Sequence, residues 1–136
     1  MTTIRPIRTA LAAAAITAAL AAPAAAGGSI SLSVNPQNQQ QTRLLQTGLA
    51  IYALSQDIKG SASVRQKGKN NNGAIAQSGG GGNFGVVHQQ GRGHSGTLDQ
   101  AGNGNAYGIF QFGKRTDAAV TQRGNGNAGA VFQWGW

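Results

Sequence analysis

The chain has 136 residues, enough for one small domain, with 22 glycines, no cysteine and a formal net charge of +8. Without cysteine there is no disulfide scaffold and no thiolate metal site, so an exported domain must be held by backbone ladders and packed side chains. The only carboxylate side chains are Asp57, Asp99 and Asp117, which are dispersed and leave paired-carboxylate acid–base chemistry little to draw on.

Residues 1–26 read as a secretory signal peptide: Arg5 and Arg8 form the basic start, Leu11 to Leu20 the apolar run, and Ala24-Ala25-Ala26 the small-residue cleavage site before Gly27. The apolar run is short for a membrane anchor, which needs about 20 residues. Residues 27–42 read as a flexible polar leader with Pro36 and a Gln/Asn cluster. Alternating Ile30, Leu32 and Val34 also allow a short strand there.

Residues 43–59 fit two readings. Gln46 and Gln56, with Leu44 and Leu54 two positions earlier, echo the repeat that follows, which predicts a divergent N-terminal repeat. The run LLQTGLAIYAL also suits a short helix.

Residues 60–136 are a repeat array. Gln66, Gln77, Gln89, Gln100, Gln111, Gln122 and Gln133 recur at steps of 11, 12, 11, 11, 11 and 11, each followed two residues later by glycine. Two positions before each glutamine lie Val64, Ile75, Val87, Leu98, Ile109, Val120 and Val131. Four before lie Ala62, Gly73, Gly85, Gly96, Tyr107, Ala118 and Gly129, small apart from the tyrosine. The even-step columns are uniform and the odd ones mixed, the period-two mark of strands with one face turned in. Gly/Asn-rich corners carry Asn71, Asn83, Asn105 and Asn127, residues that tolerate positive φ. The extra residue before Gln89 falls in the Gly79–Gly82 corner. Two strands and two corners predict an all-β fold, a cross-β solenoid of stacked strand-turn-strand coils of about 22 residues.

An inward glutamine column is explained by stacking. A buried amide without partners costs about 1–3 kcal/mol, and identical amides one coil apart satisfy one another only in register. The odd positions are expected to face solvent, with Phe110 above Phe132 and Phe112 above Trp134 as an aromatic interaction surface near the C-terminus. The chain ends on a strand with no evident cap, which predicts a free edge for a further molecule.

Without Arg5 and Arg8, nine Lys/Arg face three Asp. They are scattered, except that Arg65, Lys67 and Lys69 share one strand face. The excess serves solubility, and it also suits anionic polysaccharide or extracellular DNA, without sequence-specific nucleic-acid recognition. His88 and His94 stand six apart with no nucleophile elbow nearby, and GGGGNFG lacks the Lys-Ser/Thr of a phosphate loop. The residues therefore predict no enzyme, no cofactor and no metal site.

The repeat Gln-x-Gly-x-x-Asn-x-Ala-x-x-x-Gln resembles the curlin repeat of bacterial curli subunits. Gln66–Gln77 carries it as QKGKNNNGAIAQ, and Gln122–Gln133 as QRGNGNAGAVFQ, each with glycine in the alanine position. Gln111–Gln122 keeps Ala118 but has Thr116 for asparagine, and His94 replaces asparagine in another unit. The resemblance implies a subunit of a secreted, cell-surface amyloid fibre (fimbrium or pilus) of a Gram-negative bacterium, acting in adhesion and biofilm matrix. Its implied partners are further copies, other curli subunits, and the outer-membrane curli secretion pore with its accessory factors; residues 27–42 would address the pore. Basic charge leaves both a major and a nucleating subunit open. The alternative is a monomeric secreted β-solenoid binding module for glycans or surfaces.

Overall fold

The computed structural model describes residues 28–56 and 61–136, together with the short strand Thr17–Ala18. Apart from that strand, the signal peptide expected at 1–26 lies outside the described residues. The order is β1 (Thr17–Ala18), β2 (Ser29–Val34), α1 (Gln39–Ser55), β3 (Ala62–Lys69), β4 (Asn72–Gly81), β5 (Phe84–Arg92), β6 (Ser95–Asn103), β7 (Ala106–Lys114), β8 (Asp117–Asn125) and β9 (Ala128–Gly135).

Strands β3 to β9 alternate between two sheets. One runs β3–β5–β7–β9 and the other β4–β6–β8, with every neighbouring pair parallel. Gln89 pairs with Gln111 and Gln100 with Gln122, so one coil advances 22 residues. The fold is a β-solenoid of about three coils, as the repeat period requires. The insertion in the Gly79–Gly82 corner is absorbed there: Ser78 pairs with Ala101, and pairing resumes at Gly81 with Asn103.

Between the sheets lies a core of Val87, Leu98, Tyr107, Ile109, Ala118 and Val131, flanked by Ile75 and Val120. The small column exists because the opposite sheet fills its space. A Cβ on Gly96 would stand 2.9 Å from Gln111 Oε1 and 3.1 Å from Val87 Cγ1. Tyr107, the one large residue of that column, is accommodated because its ring occupies the place of the missing Cβ of Gly129.

Three expectations are corrected. The divergent repeat expected at 43–59 is not formed over its described residues: α1 covers Gln39–Ser55, and 57–59 lie outside the described residues. Asn38 caps it, accepting from Gln41 N at 2.9 Å, and Pro36 stands just outside. Leu45, Leu49, Tyr52 and Ala53 share one helical face, where Leu49 and Ala53 are buried. The ten-residue spacing of Gln46 and Gln56 is coincidental; Gln46 Nε2 reaches Gly104 O instead of a glutamine column.

Nor are residues 28–42 the flexible leader expected there. β2 pairs antiparallel with β9, from Ser29↔Gly135 to Val34↔Ala130, and the Thr17–Ala18 strand pairs with β2. The C-terminal strand expected to be bare is therefore covered by the chain's own N-terminal segment.

Finally, the odd positions face solvent along the whole of one sheet only; on the other, Arg65 and Lys67 on β3 and Trp134 on β9 remain exposed. On the β4–β6–β8 sheet Ala74, Thr97, Ala119, Ala76, Asp99 and Thr121 are exposed. On the other, α1 lies across the outer face and forms a second core of Leu49, Val86, Ala106, Phe110 and Ala130.

Candidate functional site

Each predicted ladder glutamine occupies an inward position at equivalent register. In the β3–β5–β7–β9 sheet, Gln66 Nε2 donates to Gln89 Oε1, Gln89 to Gln111 and Gln111 to Gln133, each at 2.8 Å. In the other sheet Gln77 donates to Gln100 and Gln100 to Gln122, each at 2.9 Å. The second amide proton crosses to the start of the preceding strand in the opposite sheet. Gln89 Nε2 donates to Asn72 O, Gln111 Nε2 to Ser95 O and Gln133 Nε2 to Asp117 O, each at 2.7 Å. Each amide thus ties two coils and two sheets together. Gln89, Gln100 and Gln111 have no exposed surface, and among the described residues no buried side-chain N or O lacks a partner.

The ladder has a direction. Donation runs from each coil to the next, so the first coil ends on the acceptor oxygens of Gln66 and Gln77. The last ends on Gln122 and Gln133. There Nε2 donates across the core to Ala106 O and Asp117 O, and each carries a second proton with no glutamine above it among the described residues. The aliphatic column follows the same register: Val64↔Val87↔Ile109↔Val131 and Ile75↔Leu98↔Val120. Val64, on the outermost strand, remains 41% exposed, so the apolar column is unfinished at that end.

The corner asparagines form their own stack. Asn105 N donates to Asn83 Oδ1 at 3.0 Å and Asn127 N to Asn105 Oδ1 at 3.1 Å. At the other corner His94 N donates to Asn71 Oδ1, and the His94 ring, fully buried, stands 2.8 Å from Thr116 Oγ1. Histidine and threonine there replace the asparagine of the repeat without leaving a gap in the hydrogen bonding.

The aromatic surface is present but partly covered. Phe110 stacks on Phe132 at 4.8 Å and Phe112 on Trp134 at 5.9 Å. α1 buries Phe110 and half-buries Phe112 and Phe132; Trp134 alone of the four is exposed. Tyr52 of α1 meets Phe110 edge-on at 5.1 Å, and its hydroxyl stands 2.7 Å from His88 Nδ1. This pair latches the helix to the sheet.

Burial lowers the pKa of His88, and the Arg65 cation lowers it further; burial raises that of Tyr52, which Arg65 partly offsets. The docked state therefore disfavours imidazolium. Its contribution is complete above the ordinary histidine value of about 6.5 and is lost as the pH falls through the lowered one. Protection factors of the α1 amides, exchange corrected for its intrinsic slowing at lower pH, are expected to fall as the pH drops through that window, and His88→Phe to flatten the dependence. Unchanged protection factors across it would remove the latch.

Basic residues align at one corner. Lys69, Arg92 and Lys114 are in register on successive strands, and Arg92 and Lys114 with Arg115 and Asn70 line a shallow groove of about 430 Å³ containing no carboxylate. The Arg65, Lys67, Lys69 run lies on β3, at the edge of its sheet.

Comparison with protein-family models, curated proteins and solved structures finds no match.

Sequence reasoning missed the packing roles of Leu49 and Tyr52 and the pairing of β2 with β9. The signal for α1 was Asn38-x-x-Gln41 after Pro36, followed by apolar residues at helical spacing. For the covered face it was a 22-residue rather than 11-residue period. Odd positions of alternate units read Val86, His88, Phe110 and Phe132 on one sheet, but Thr97, Asp99 and Thr121 on the other.

Proposed function

We propose that this chain is a structural subunit of a curli-type extracellular fibre, built by templated strand addition and serving adhesion and biofilm matrix at the surface of a Gram-negative bacterium. The observation that carries the reading is the directional glutamine ladder, with acceptors left over at the first coil and donors at the last. The ends of one molecule complement those of the next, and strands β3, β4 and β8 are edges of their sheets. The curlin-like repeat supports the same reading and brings with it passage through an outer-membrane curli secretion pore. The in-register cations at the Lys69/Arg92/Lys114 corner favour an anionic polysaccharide or extracellular DNA as matrix partner.

The purified chain is expected to polymerise after a lag that preformed seeds abolish. Gln133→Ala strands one Gln111 amide proton and should slow seeded growth, whereas Thr121→Ala, on the exposed face, should leave it unchanged. Persistent monomer in the presence of seeds would refute the fibre. Equal slowing by both variants would refute the role of the ladder. Fibres grown this way should retain polyanion at low salt and release it at high salt; retention indifferent to salt would remove the charge-based partner.

One observation favours the alternative, a monomeric binding module. β2 and α1 cover one edge and one face, as terminal caps do in solenoids that stay single. The exposed outer face of the β4–β6–β8 sheet would then be the binding surface. Its mixture of alanine, threonine and aspartate offers no regular array for a repeating ligand.

A further inference from the structure

Among the described residues the repeat array contributes seven strands, β3 to β9, four to one sheet and three to the other. An odd number has a consequence for stacking. Successive strands of a solenoid climb half a coil at a time, so the position that follows β9 along the coil lies in the opposite sheet, over β8. The position after that lies over β9.

An incoming copy presents β3 first and β4 half a coil later. If it kept the orientation of the first copy, β3 would land on β9 and a one-strand hole would remain over β8. If it is turned half a turn about the stacking axis, β3 lands on β8 and β4 on β9, with no hole. The half turn also restores strand direction, because the strands on the two sides of a coil point in opposite directions. It leaves the ladder intact: Gln122 Nε2 meets Gln66 Oε1 and Gln133 Nε2 meets Gln77 Oε1.

The position over β9 is already taken by β2, which fits it unlike any strand of the array. β2 is antiparallel where its neighbours are parallel, and it sets Ser31 beside Gln133 and Ser33 beside Val131. Serine thus stands in both inward columns, ending the amide ladder and the aliphatic column with short polar groups. Ile30, Leu32 and Val34 face the other way, beside Trp134, Phe132 and Ala130.

We infer that β2 is a placeholder on an interface for a second copy of this chain, and that the second copy arrives turned by half a turn, its β4 replacing β2 on β9 while its β3 pairs with β8. This rests on the fibre reading and specifies its contact. Antiparallel serine is exchanged for parallel glutamine and isoleucine, and α1 then lies on alternate sides of successive copies.

The chain has no cysteine, so introduced pairs report the contact directly. Arg65→Cys with Thr121→Cys places one thiol on β3 and the other on β8, at exposed outward positions of opposite sheets, out of reach within one molecule. Fibres of this variant, grown reduced and then oxidised, are expected to yield a ladder of covalent oligomers. Lys67→Cys with Trp134→Cys, which reports β3 on β9, is expected to give none. The reverse result, or fibres in which the first pair fails to link, overturns the inference while the fibre reading stands. A wild-type chain that never polymerises overturns both.

Displacement of β2 is tested separately. Ile30→Cys with Trp134→Cys joins antiparallel partners whose Cα atoms lie about 5.5 Å apart, within disulfide range. The oxidised form should lose seeded growth at the β9 end and terminate wild-type fibres, and reductant should restore growth. Growth of the oxidised form at the reduced rate overturns the placeholder role.

Discussion

Gln89→Ala is expected to destabilise the fold by roughly 3–5 kcal/mol, through unpaired buried groups and a cavity in an interior that packs densely. Gln89 has no exposed surface and serves three partners: it accepts from Gln66 and donates to Gln111 Oε1 and to Asn72 O. Alanine leaves the Gln111 oxygen and the Asn72 carbonyl without these donors. The loss is a large part of the ~5–15 kcal/mol that holds a domain together. Gln66→Ala, at the exposed end of the same column, should cost within about 1 kcal/mol, since water can replace its partner. Gln89→Glu should be at least as damaging as alanine at neutral pH, because a carboxylate supplies no protons and faces the Gln111 oxygen. Burial would raise the new carboxyl's pKa, so stability should partly return as the pH falls and the acid becomes a donor. Urea midpoints of the three variants at constant slope would decide the matter. Equal shifts for Gln66→Ala and Gln89→Ala would mean that the ladder bonds contribute nothing specific.

The same column shows how far the sequence could be read. Buried positions two and four residues before each glutamine were legible because they repeat on every coil, and repetition removes the ambiguity of any single apolar residue. Register was legible for the same reason: shifting β5 against β7 by two residues would set Gln89 beside Ile109 or Gly113. β2 and α1 were not legible as partners of the array because nothing in them repeats. Whether Ile30, Leu32 and Val34 form a strand depends on finding an edge, and that edge is supplied by β9, a hundred residues later. Leu45, Leu49 and Tyr52 make a helix because a sheet face offers Val86, Phe110 and Ala130 to cover. Long-range docking of this kind overrides local pattern, and it turned an expected exposed aromatic surface into a second core.

The two covering elements also bear on assembly. α1 lies on the outside of one sheet and leaves the ends of the inward columns untouched, whereas β2 sits directly on an end. Coverage of the aromatic face is thus compatible with stacking of further coils, and coverage of the β9 edge is not. Polar closure by Ser31 and Ser33 keeps a single molecule self-contained without placing a charge in the core.

In five of the seven Gln-x-Gly triplets (Gly68, Gly79, Gly91, Gly102 and Gly113) the glycine sits where a side chain would strike the backbone of the next coil, and Gly91→Ala is accordingly expected to have an effect as large as that of any ladder residue. Gly91 has φ +130°, a conformation that essentially excludes other residues. A Cβ there would also overlap the carbonyl oxygen of Gly113 on the neighbouring strand and lie 2.8 Å from its carbon and 2.9 Å from His94 Nε2. The obstacle is backbone of the adjacent strand, which cannot swing aside as a flexible side chain can. Relief requires β5 and β7 to part where the His94 ring and Thr116 Oγ1, 2.8 Å apart, also tie the same two coils. Two other glycines separate the contributions. Gly81 has a similar φ of +121° but nothing within 4 Å of an added Cβ, so Gly81→Ala should show conformational strain alone, about 1–3 kcal/mol. Gly48 lies inside α1 with open space around it, and Gly48→Ala should stabilise by about 0.5–1 kcal/mol. Thermal or urea unfolding should therefore rank Gly48→Ala above wild type, then Gly81→Ala, then Gly91→Ala. The last should lose cooperative unfolding or fail to accept seeds, because every interface between coils repeats the same close approach. If Gly91→Ala and Gly81→Ala prove equally stable, coils do not stack as closely as the ladder requires.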